Sequence, residues 1–288
     1  MDNRAIGVYD SGFGGLSVWR ELCRLLPNES IVYLGDGKNC PYGGRSREEI
    51  TGFATESVER LVEEGVKMVV VGCNTATTAA ISTLRDRWRD MPIVGLEPAV
   101  KPACLTTATK RIAVLATAHS LCSDMFLSTT ARYAEGVEVL KVVGEGFVDI
   151  VEAGKEGTAE AHEAVRRVVE PLLDSGIDKI VLGCTHYPFL RPHIENIVAG
   201  RGIDIVDSGE AVARRVEWLL KRYKIAARSD HRAEYRFISF ADEAYRASLE
   251  QRALRIMDKL KTEKCGALRA RLKCHSERSE ESLGECGH

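Results

Sequence analysis

Two cysteines of this chain stand in nearly the same sequence context, which singles them out as candidates for chemistry. Cys73 follows the apolar run KMVVVG at 67–72, and Cys184 follows the similar run KIVLG at 179–183. Neither run alternates with polar residues, as is typical of a strand covered on both faces. Two thiols in equivalent positions suit inversion at one carbon, because one thiolate can remove a proton while the other thiol delivers a proton to the opposite face.

Acid–base residues accompany both cysteines. His186 lies shortly after Cys184, and Asp10 ends a predicted strand that would neighbour the strand before Cys73. A helix that begins just after each cysteine would lower its thiol pKa from about 8.5 toward neutrality. A buried structural thiol is the ordinary interpretation of one cysteine after an apolar strand. Two equivalent cysteines beside polar residues favour reactive thiols instead.

Hydroxyl residues lie just before predicted helices at the same strand ends. They are Ser11, Thr75, Thr117 and Thr185. Helix capping is the usual role of any one of them. Because all four occur at the ends that carry the cysteines, we expect them to hold a small, carboxylate-rich ligand together.

The glycine-rich turn DSGFGG at 10–15 has two interpretations. Ser17 stands where the third glycine of a dinucleotide-binding motif belongs, and no Walker lysine is present. The alternative is a tight turn that brings backbone N–H groups and a helix N-terminus to an anion. We favour the second interpretation, since a carboxylate suits such a turn as well as a phosphate does.

Short apolar segments alternate with amphipathic ones, which predicts an α/β protein with mostly parallel sheets. The predicted strands are 4–9, 30–34, 67–72, 92–95, 111–116, 137–142, 178–183 and 203–206. The predicted helices are 15–25, 46–64, 75–89, 98–107, 121–134, 147–152, 158–175, 189–199, 208–222 and 241–260.

Three ordered sequence matches at nearly one offset indicate an internal repeat. The two Gly-Cys pairs are separated by 111 positions, segment 6–11 resembles 112–117, and 92–100 resembles 204–212. The simplest interpretation is two similar domains related by pseudo-symmetry. The first would comprise 1–97 plus closing helices at 207–260, and the second 98–206. Ligands of parallel sheets bind beyond the carboxyl ends of the strands, so we expect an active site in the cleft between the domains.

The composition excludes several classes of protein. The 288 residues suffice for two domains, and a net charge of −2 favours neither nucleic acid nor a membrane surface as a partner. No apolar run approaches the roughly 20 residues of a membrane span, and no secretory signal is recognisable. A cytoplasmic protein is therefore expected, in which the nine cysteines are free thiols.

No spacing of histidines or carboxylates indicates a metal site, and no lysine motif for pyridoxal phosphate is evident. The sequence therefore predicts neither a metal nor a cofactor. Residues 261–288 are polar and lack apolar periodicity, which predicts a disordered tail.

Four motifs in order carry a resemblance to a known family: DSGFGG at 10–15, PYG at 41–43, GCNTA at 72–76 and GCTHYP at 183–188. With them the chain resembles the glutamate racemases, within the cofactor-independent amino-acid racemases, over roughly residues 4–255. The resemblance implies interconversion of L- and D-glutamate, which supplies D-glutamate for peptidoglycan synthesis. It also suggests a homodimer.

The resemblance also implies residue roles. Cys73 would take the α-proton from D-glutamate and Cys184 from L-glutamate, with Asp10 and His186 assisting. Asp36 and Glu152 match positions with auxiliary acid–base or charge roles, and Ser120 keeps a hydroxyl where many relatives have threonine. The matched substrate-binding positions are Asp10, Ser11, Tyr42, Gly43, Asn74, Thr75, Thr117, Thr185 and His186.

Other functions stay open on the sequence. The Gly-Cys motifs alone also fit a racemase of aspartate or another amino acid. Cys184 with His186 would suit a Cys-His hydrolase or transferase, although that leaves the repeat at Cys73 unexplained. Two similar domains around a cleft would also suit a ligand-binding protein that is not an enzyme.

Overall fold

The computed structural model describes the backbone of residues 1–281 and the side chains of residues 1–262. All eight predicted strands are present within two residues of their predicted bounds, and one further strand follows them. The strands are β1 (Ile6–Asp10), β2 (Ile31–Gly35), β3 (Met68–Val71), β4 (Ile93–Gly95), β5 (Arg111–Ala116), β6 (Glu138–Val143), β7 (Lys179–Leu182), β8 (Asp204–Asp207) and β9 (Tyr235–Ser239).

Helices connect the strands. They are α1 (Leu16–Leu25), α2 (Arg47–Glu63), α3 (Asn74–Arg87), α4 (Val100–Thr106), α5 (Ala118–Cys122), α6 (Asp124–Tyr133), α7 (Phe147–Glu152), α8 (Ala159–Val169), α9 (Arg191–Ile197), α10 (Gly209–Tyr223) and α11 (Glu243–Glu281). The predicted helix 121–134 is replaced by two helices, α5 and α6. The break lies at Ser123, whose hydroxyl caps α6 by accepting the N–H of Phe126 at 3.2 Å.

The strands form two parallel sheets with the same internal order. The first sheet runs β4-β3-β1-β2-β9 and the second runs β6-β5-β7-β8. When the second is read as β8-β7-β5-β6, it repeats the first four strands of the first. The strand register repeats as well, because Ile6 pairs with Met68 in the first sheet and Ile112 with Lys179 in the second. The predicted α/β class with two similar parallel sheets is confirmed.

The ninth strand is a difference from the sequence prediction, which places only helices between 207 and 260. β9 pairs with β2 in parallel and extends the first sheet. Its sequence YRFIS contains the aromatic and β-branched residues that favour strands. The ring of Trp19 on α1 packs against Tyr235 and Phe237, with centroid distances of 5.4 and 5.8 Å, and so attaches β9 to the first sheet's helices.

Residues Met1–Arg246 form one compact unit that contains both sheets, and Ala247 begins a second unit, the remainder of α11. The helix continues through residues 261–281, where the sequence predicts disorder. Glu, Lys, Arg, Leu and Ala are frequent there and favour a helix. Residues 282–288 of the predicted tail lie outside the described residues. The division into domains 1–97 plus 207–260 and 98–206 stays a prediction.

Within the part of the chain that the structure describes, no helix combines the length and apolar character needed to cross a bilayer.

A capping box fixes the start of α2. The hydroxyl of Ser46 accepts the N–H of Glu49 at 3.2 Å, and the Glu49 carboxylate accepts the N–H of Ser46 at 2.8 Å. The helix then packs on the first sheet through buried residues such as Ile50 and Val58. This anchoring holds the preceding loop, residues 36–45, beside the ends of the first sheet's strands.

A buried ion pair connects distant parts of the first sheet. Nζ of Lys67 lies 2.5 Å from Oε2 of Glu29, and the two side chains are only 0% and 5% exposed. Lys67 also donates to the Asp2 carbonyl at 2.7 Å, and Glu29 accepts the N–H of Ala227 at 2.8 Å. Because both charges are removed from water, each depends on the other for compensation.

Replacement of Lys67 by Met will destabilise the protein by about 3–5 kcal/mol, because it leaves the Glu29 carboxylate buried without a countercharge. The measurement is the free energy of unfolding in urea. The double variant Lys67→Met/Glu29→Leu is the control, since it removes both charges and should recover most of the loss. A single variant within about 1 kcal/mol of the wild type, as for a surface pair, would contradict the prediction.

Candidate active site

A cavity of about 240 Å³ lies at the carboxyl ends of the inner strands of both sheets. It is smaller than the roughly 300–1,000 Å³ of pockets that hold drug-sized ligands, so its size suits a small metabolite. Ten of the predicted site residues line it: Ser11, Tyr42, Gly43, Cys73, Asn74, Thr75, Thr117, Cys184, Thr185 and His186. None of the described residues that line the cavity is a lysine or an arginine.

Equivalent backbone hydrogen bonds place the two cysteines. The N–H of Gly72 donates to the Tyr9 carbonyl at 2.7 Å, and the N–H of Gly183 donates to the Leu115 carbonyl at 2.7 Å. Each bond extends the pairing of two inner strands just past the strand end, so that the following cysteine stands at the edge of its sheet. A Cβ at Gly183 would lie only 2.9 Å from that of Ala116, which explains the glycine.

Cys73 is the N-cap residue of α3. Its Sγ accepts the N–H of Ala76 at 3.4 Å, and its thiol donates to Oγ of Ser11 at 3.7 Å. Burial raises the pKa of Cys73 to about 12, with the charge of Asp10 adding to the rise and the two hydrogen bonds opposing it. The prediction that a helix start lowers the pKa is therefore wrong for Cys73, because the loss of water outweighs the helix start.

Cys184 begins a chain of three side chains. Its Sγ lies 3.7 Å from Nδ1 of His186, and Nε2 of His186 lies 2.6 Å from Oε1 of Glu152 at the end of α7. Burial opposes the imidazolium, but the hydrogen bonds with Cys184 and Glu152 outweigh it and raise the pKa of His186 well above its usual value. Burial also opposes the Glu152 carboxylate, but its partners, His186 first, lower the pKa of Glu152. These contacts therefore stabilise the protonated form of the His186 imidazole.

Two donors from the first sheet's side hold Glu152 in place. The N–H of Phe13 donates to Oε1 at 2.8 Å, and the hydroxyl of Tyr245 donates to Oε2 at 3.1 Å. The rings of Phe13 and Tyr245 pack with their centroids 4.6 Å apart. The role of Tyr245 was not predicted, because nothing in its local sequence points to a partner so far along the chain.

The glycine-rich turn packs directly against this chain of side chains. A Cβ at Gly12 would lie 2.3 Å from Oε1 of Glu152, and a Cβ at Gly14 would lie 2.4 Å from Nδ1 of His186. The N–H of Gly12 donates to Oδ1 of Asp10 at 2.7 Å. The sequence predicts that N–H groups of this turn bind the anion of a ligand, but those of Gly12 and Phe13 bind the carboxylates of Asp10 and Glu152. The glycines of the turn allow Glu152 and His186 to approach closely.

Asp10 lies behind the cavity wall, fully buried at the end of β1. Its Oδ2 accepts the hydroxyl of Thr185 at 3.1 Å, which links the two halves of the site. Burial raises the pKa of Asp10 to about 6, although the positive charge of His186 and the N–H of Gly12 oppose the rise. This carboxyl therefore changes its ionisation close to neutral pH.

Two hydroxyls from opposite halves meet at the cavity. Oγ1 of Thr75 lies 3.3 Å from Oγ1 of Thr117. Thr117 also caps α5 by accepting the N–H of Ser120 at 3.2 Å, and its hydroxyl donates to Oγ of Ser120 at 2.9 Å. Thr117 therefore both caps α5 and lines the cavity, as predicted for a ligand-binding residue. Ser120 is fully buried behind it.

Asp36 supports the cavity from behind another lining residue. The hydroxyl of Tyr42 donates to Oδ2 of Asp36 at 2.6 Å and accepts the hydroxyl of Tyr9 at 2.8 Å. The amide of Asn39 donates to both Asp36 carboxylate oxygens at 3.0 Å. Asp36 therefore fixes the position of the Tyr42 ring and does not itself line the cavity.

The predicted site residues thus fall into two groups, ten that line the cavity and four that contact a lining residue from behind. The second group is Asp10, Asp36, Glu152 and Ser120. The segment 143–149, from the end of β6 into α7, was not predicted to belong to the site, yet Gly144, Gly146 and Asp149 line one wall. The closely spaced glycines after β6 are the signal that could have identified it.

Comparison with known proteins agrees with this arrangement. A family model described as Asp/Glu/Hydantoin racemase matches residues 14–216. A glutamate racemase from Herpetosiphon aurantiacus is 42% identical over 251 residues, which are 87% of this chain and 98% of the relative.

Two solved structures are similar over most of the chain. A glutamate racemase isoform from Bacillus anthracis has a TM-score of 0.79 at 33% identity and covers 88% of this chain and 95% of its own. The Escherichia coli glutamate racemase, solved in complex with L-glutamate and an activator, has a TM-score of 0.78 at 32% identity, with the same two coverages. The chain therefore belongs to the Asp/Glu/Hydantoin racemase family, on its glutamate racemase branch.

Proposed function

We propose that this protein interconverts L-glutamate and D-glutamate, with Cys73 and Cys184 as the two groups that exchange protons with the α-carbon. The proposal rests on one observation above all: both thiols line the same small cavity, at equivalent ends of two equivalent sheets. The glutamate racemase names of its relatives, one of them solved with L-glutamate, support the choice of substrate.

The reaction needs one thiolate and one thiol. From L-glutamate, the Cys184 thiolate takes the α-proton, the electron pair is delocalised into the α-carboxylate, and the Cys73 thiol donates its proton to the opposite face. The products are D-glutamate, a Cys184 thiol and a Cys73 thiolate, which is the form that accepts D-glutamate. Inversion thus occurs without turning the substrate over.

Stabilisation of the developing negative charge is the main energetic task, because the α-carbon of an amino acid is a weak acid. Preorganised donors at the position of that charge supply such stabilisation. With neither lysine nor arginine on the described cavity wall, we assign this task to hydroxyl, amide and backbone N–H groups. The side-chain donors are Ser11, Asn74 and Thr75, and the hydroxyls of Thr117 and Thr185 can join them by turning away from Ser120 and Asp10.

The supporting residues make the two thiols unequal. Nδ1 of His186 lies 3.7 Å from Sγ of Cys184, so the imidazole can exchange a proton with this thiol. Burial and the charge of Asp10 raise the pKa of Cys73 and so favour its protonated form. We therefore propose that Cys73 is the protonated member of the resting pair, which makes it the acid in the reaction from L-glutamate.

A Cys-His hydrolase would use the same contact between Cys184 and His186. It would have no use for Cys73 in the same cavity, so we favour the racemase. Assays with glutamate, aspartate and other amino acids, analysed by chiral chromatography, test the substrate directly.

The wider role follows from this activity. We propose that the protein works in the cytoplasm, where D-glutamate enters peptidoglycan synthesis, and that it forms a homodimer. We also propose that it divides into the domains 1–97 plus 207–260 and 98–206, between which the substrate binds. Light scattering on the purified protein tests the dimer.

Replacement of either Cys73 or Cys184 by Ser will lower kcat at least about 100-fold in both directions, because each direction uses one cysteine as base and the other as acid. Chiral chromatography of reactions started from L- and from D-glutamate provides the measurement. Cys122→Ser is the matched control, since that thiol is exposed and lies outside the cavity lining. Turnover near the wild-type rate in either cavity variant would disprove the two-thiol mechanism.

Replacement of His186 by Asn will slow the steps at Cys184 more than those at Cys73, because it removes the imidazole that contacts Cys184 and can exchange a proton with it. The two enantiomers have equal free energies, so kcat/KM must fall by the same factor in both directions. The primary isotope effect with α-deuterated substrates separates the steps. It should rise for L-glutamate, whose α-proton is taken by Cys184, because that step becomes more rate-limiting. It should shrink for D-glutamate, whose α-proton is taken by Cys73. Unchanged isotope effects for both enantiomers would contradict the assignment of His186 to Cys184.

Replacement of Asp10 by Asn will lower the pKa of Cys73 from about 12, because a negative charge that opposes its thiolate is removed. The measurement is the pH dependence of Cys73 alkylation by iodoacetamide, followed on its peptide by mass spectrometry in a Cys184→Ser background. Asp149→Asn is the control, since this cavity residue is not among the main charges that act on Cys73. A pKa that stays the same or rises in the Asp10 variant would refute the interpretation.

A further inference from the structure

We propose that Cys40, Glu152 and His186 bind a thiophilic divalent cation such as Zn²⁺, and that the bound cation inhibits the enzyme. One ligand atom from each of these side chains lies within 4.8 Å of the other two. A thiol, a carboxylate and an imidazole are the three ligand types that zinc prefers in proteins. The members lie far apart in the sequence, so no local spacing predicts the cluster.

The separations of the ligand atoms are close to those of a metal site. Three atoms with at most 4.8 Å between them all lie within about 2.8 Å of a common point, and zinc bonds measure about 2.0–2.3 Å. Movements of about 0.5–0.8 Å in side-chain positions would bring all three into bonding distance. The three protein ligands leave the fourth tetrahedral position for water, as in open zinc sites.

The surroundings of the cluster hold one ligand in position. Glu152 accepts hydrogen bonds from the Phe13 N–H at 2.8 Å and from the Tyr245 hydroxyl at 3.1 Å. Outer contacts of this kind orient metal-binding carboxylates and raise metal affinity. The carboxylate would therefore meet a cation with part of its coordination geometry already set.

Carboxyl groups supply the negative charge that a divalent ion needs. Glu152 is itself one of the three ligands, and the buried Asp10 also acts on Cys40 through its charge. Binding would release the Cys40 proton and the His186 proton to solvent, since both groups coordinate a metal in their deprotonated forms.

The consequence for catalysis rests on the proposed function. Coordination of His186 to the metal would stop its imidazole from exchanging a proton with Cys184 and would disrupt the hydrogen bond between His186 and Glu152. The ion would also connect the loop before α2, which carries Cys40, to two residues of the second sheet's side. Zinc should therefore both inhibit racemisation and hold the cleft in one arrangement.

Metal binding can be tested separately from activity. In a Cys73→Ser/Cys184→Ser variant, which lacks both cavity thiols, Co²⁺ should produce a thiolate-to-cobalt charge-transfer band in the near ultraviolet. Adding Cys40→Ser should abolish the band, whereas adding Cys122→Ser should leave it unchanged. Adding Glu152→Gln in place of Cys40→Ser should weaken the affinity for Zn²⁺, measured by calorimetry, at least about tenfold. A band that persists without Cys40, or a folded double variant that binds neither ion, would overturn the site.

Inhibition is tested in the enzyme with both cavity thiols present. Zn²⁺ should inhibit the wild type reversibly, with recovery on addition of a chelator. The zinc concentration that halves the rate should be at least about tenfold higher for Cys40→Ser, with each protein compared with its own rate without zinc. Equal zinc sensitivity of both proteins would mean that the ion acts elsewhere, for example at Cys73 and Cys184, and would refute the inhibitory role. Failure of the proposed racemase function would instead appear as an absence of turnover without zinc, with cobalt binding at Cys40 unaffected.

Discussion

Two equivalent hydrogen bonds determine where the chemistry of this molecule can occur. The bonds from Gly72 to Tyr9 and from Gly183 to Leu115 are both 2.7 Å long and extend equivalent strand pairs just past the ends of the strands. Each is followed by a cysteine at the edge of a parallel sheet, where ligands of such sheets bind. The repeated fold therefore converts a repeated sequence into two thiols that line one cavity, and the other site residues act on that pair.

The differences between the halves matter as much as their similarity. Next to Cys184 the fold buries the imidazole of His186, which is held by a carboxylate from α7. Close to Cys73 it buries Asp10, whose charge acts against the thiolate. The two equivalent thiols can each reach one face of the α-carbon. Their different surroundings suit a carbon that carries different substituents. The arrangement also makes the two half-reactions distinguishable by experiment.

The sequence predicts this site well where the signal is local and poorly where it depends on tertiary contacts. The Gly-Cys repeat identifies both cysteines and the strands before them, since buried parallel strands have a strong apolar pattern. The high pKa of Cys73 could not be predicted, because burial outweighs a helix start that is visible in the sequence. The role of Tyr245 was not predicted, because its partner Glu152 is distant in the sequence. The glycines at 12 and 14 make room for Glu152 and His186, which is also a tertiary contact that the sequence does not reveal. The short strand β9 was missed because its pattern is brief and lies between polar segments.

In the proposed mechanism two different groups exchange protons with opposite faces of one carbon. The most direct test is the reaction of the wild-type protein with L-glutamate in deuterated water, stopped early and analysed for deuterium in each enantiomer. The two-thiol mechanism predicts deuterium at the α-carbon of the newly formed D-glutamate and protium in the remaining L-glutamate, because the proton taken by Cys184 returns only to the face from which it came. Equal early incorporation of deuterium into both enantiomers would indicate a single exchanging base and contradict the mechanism.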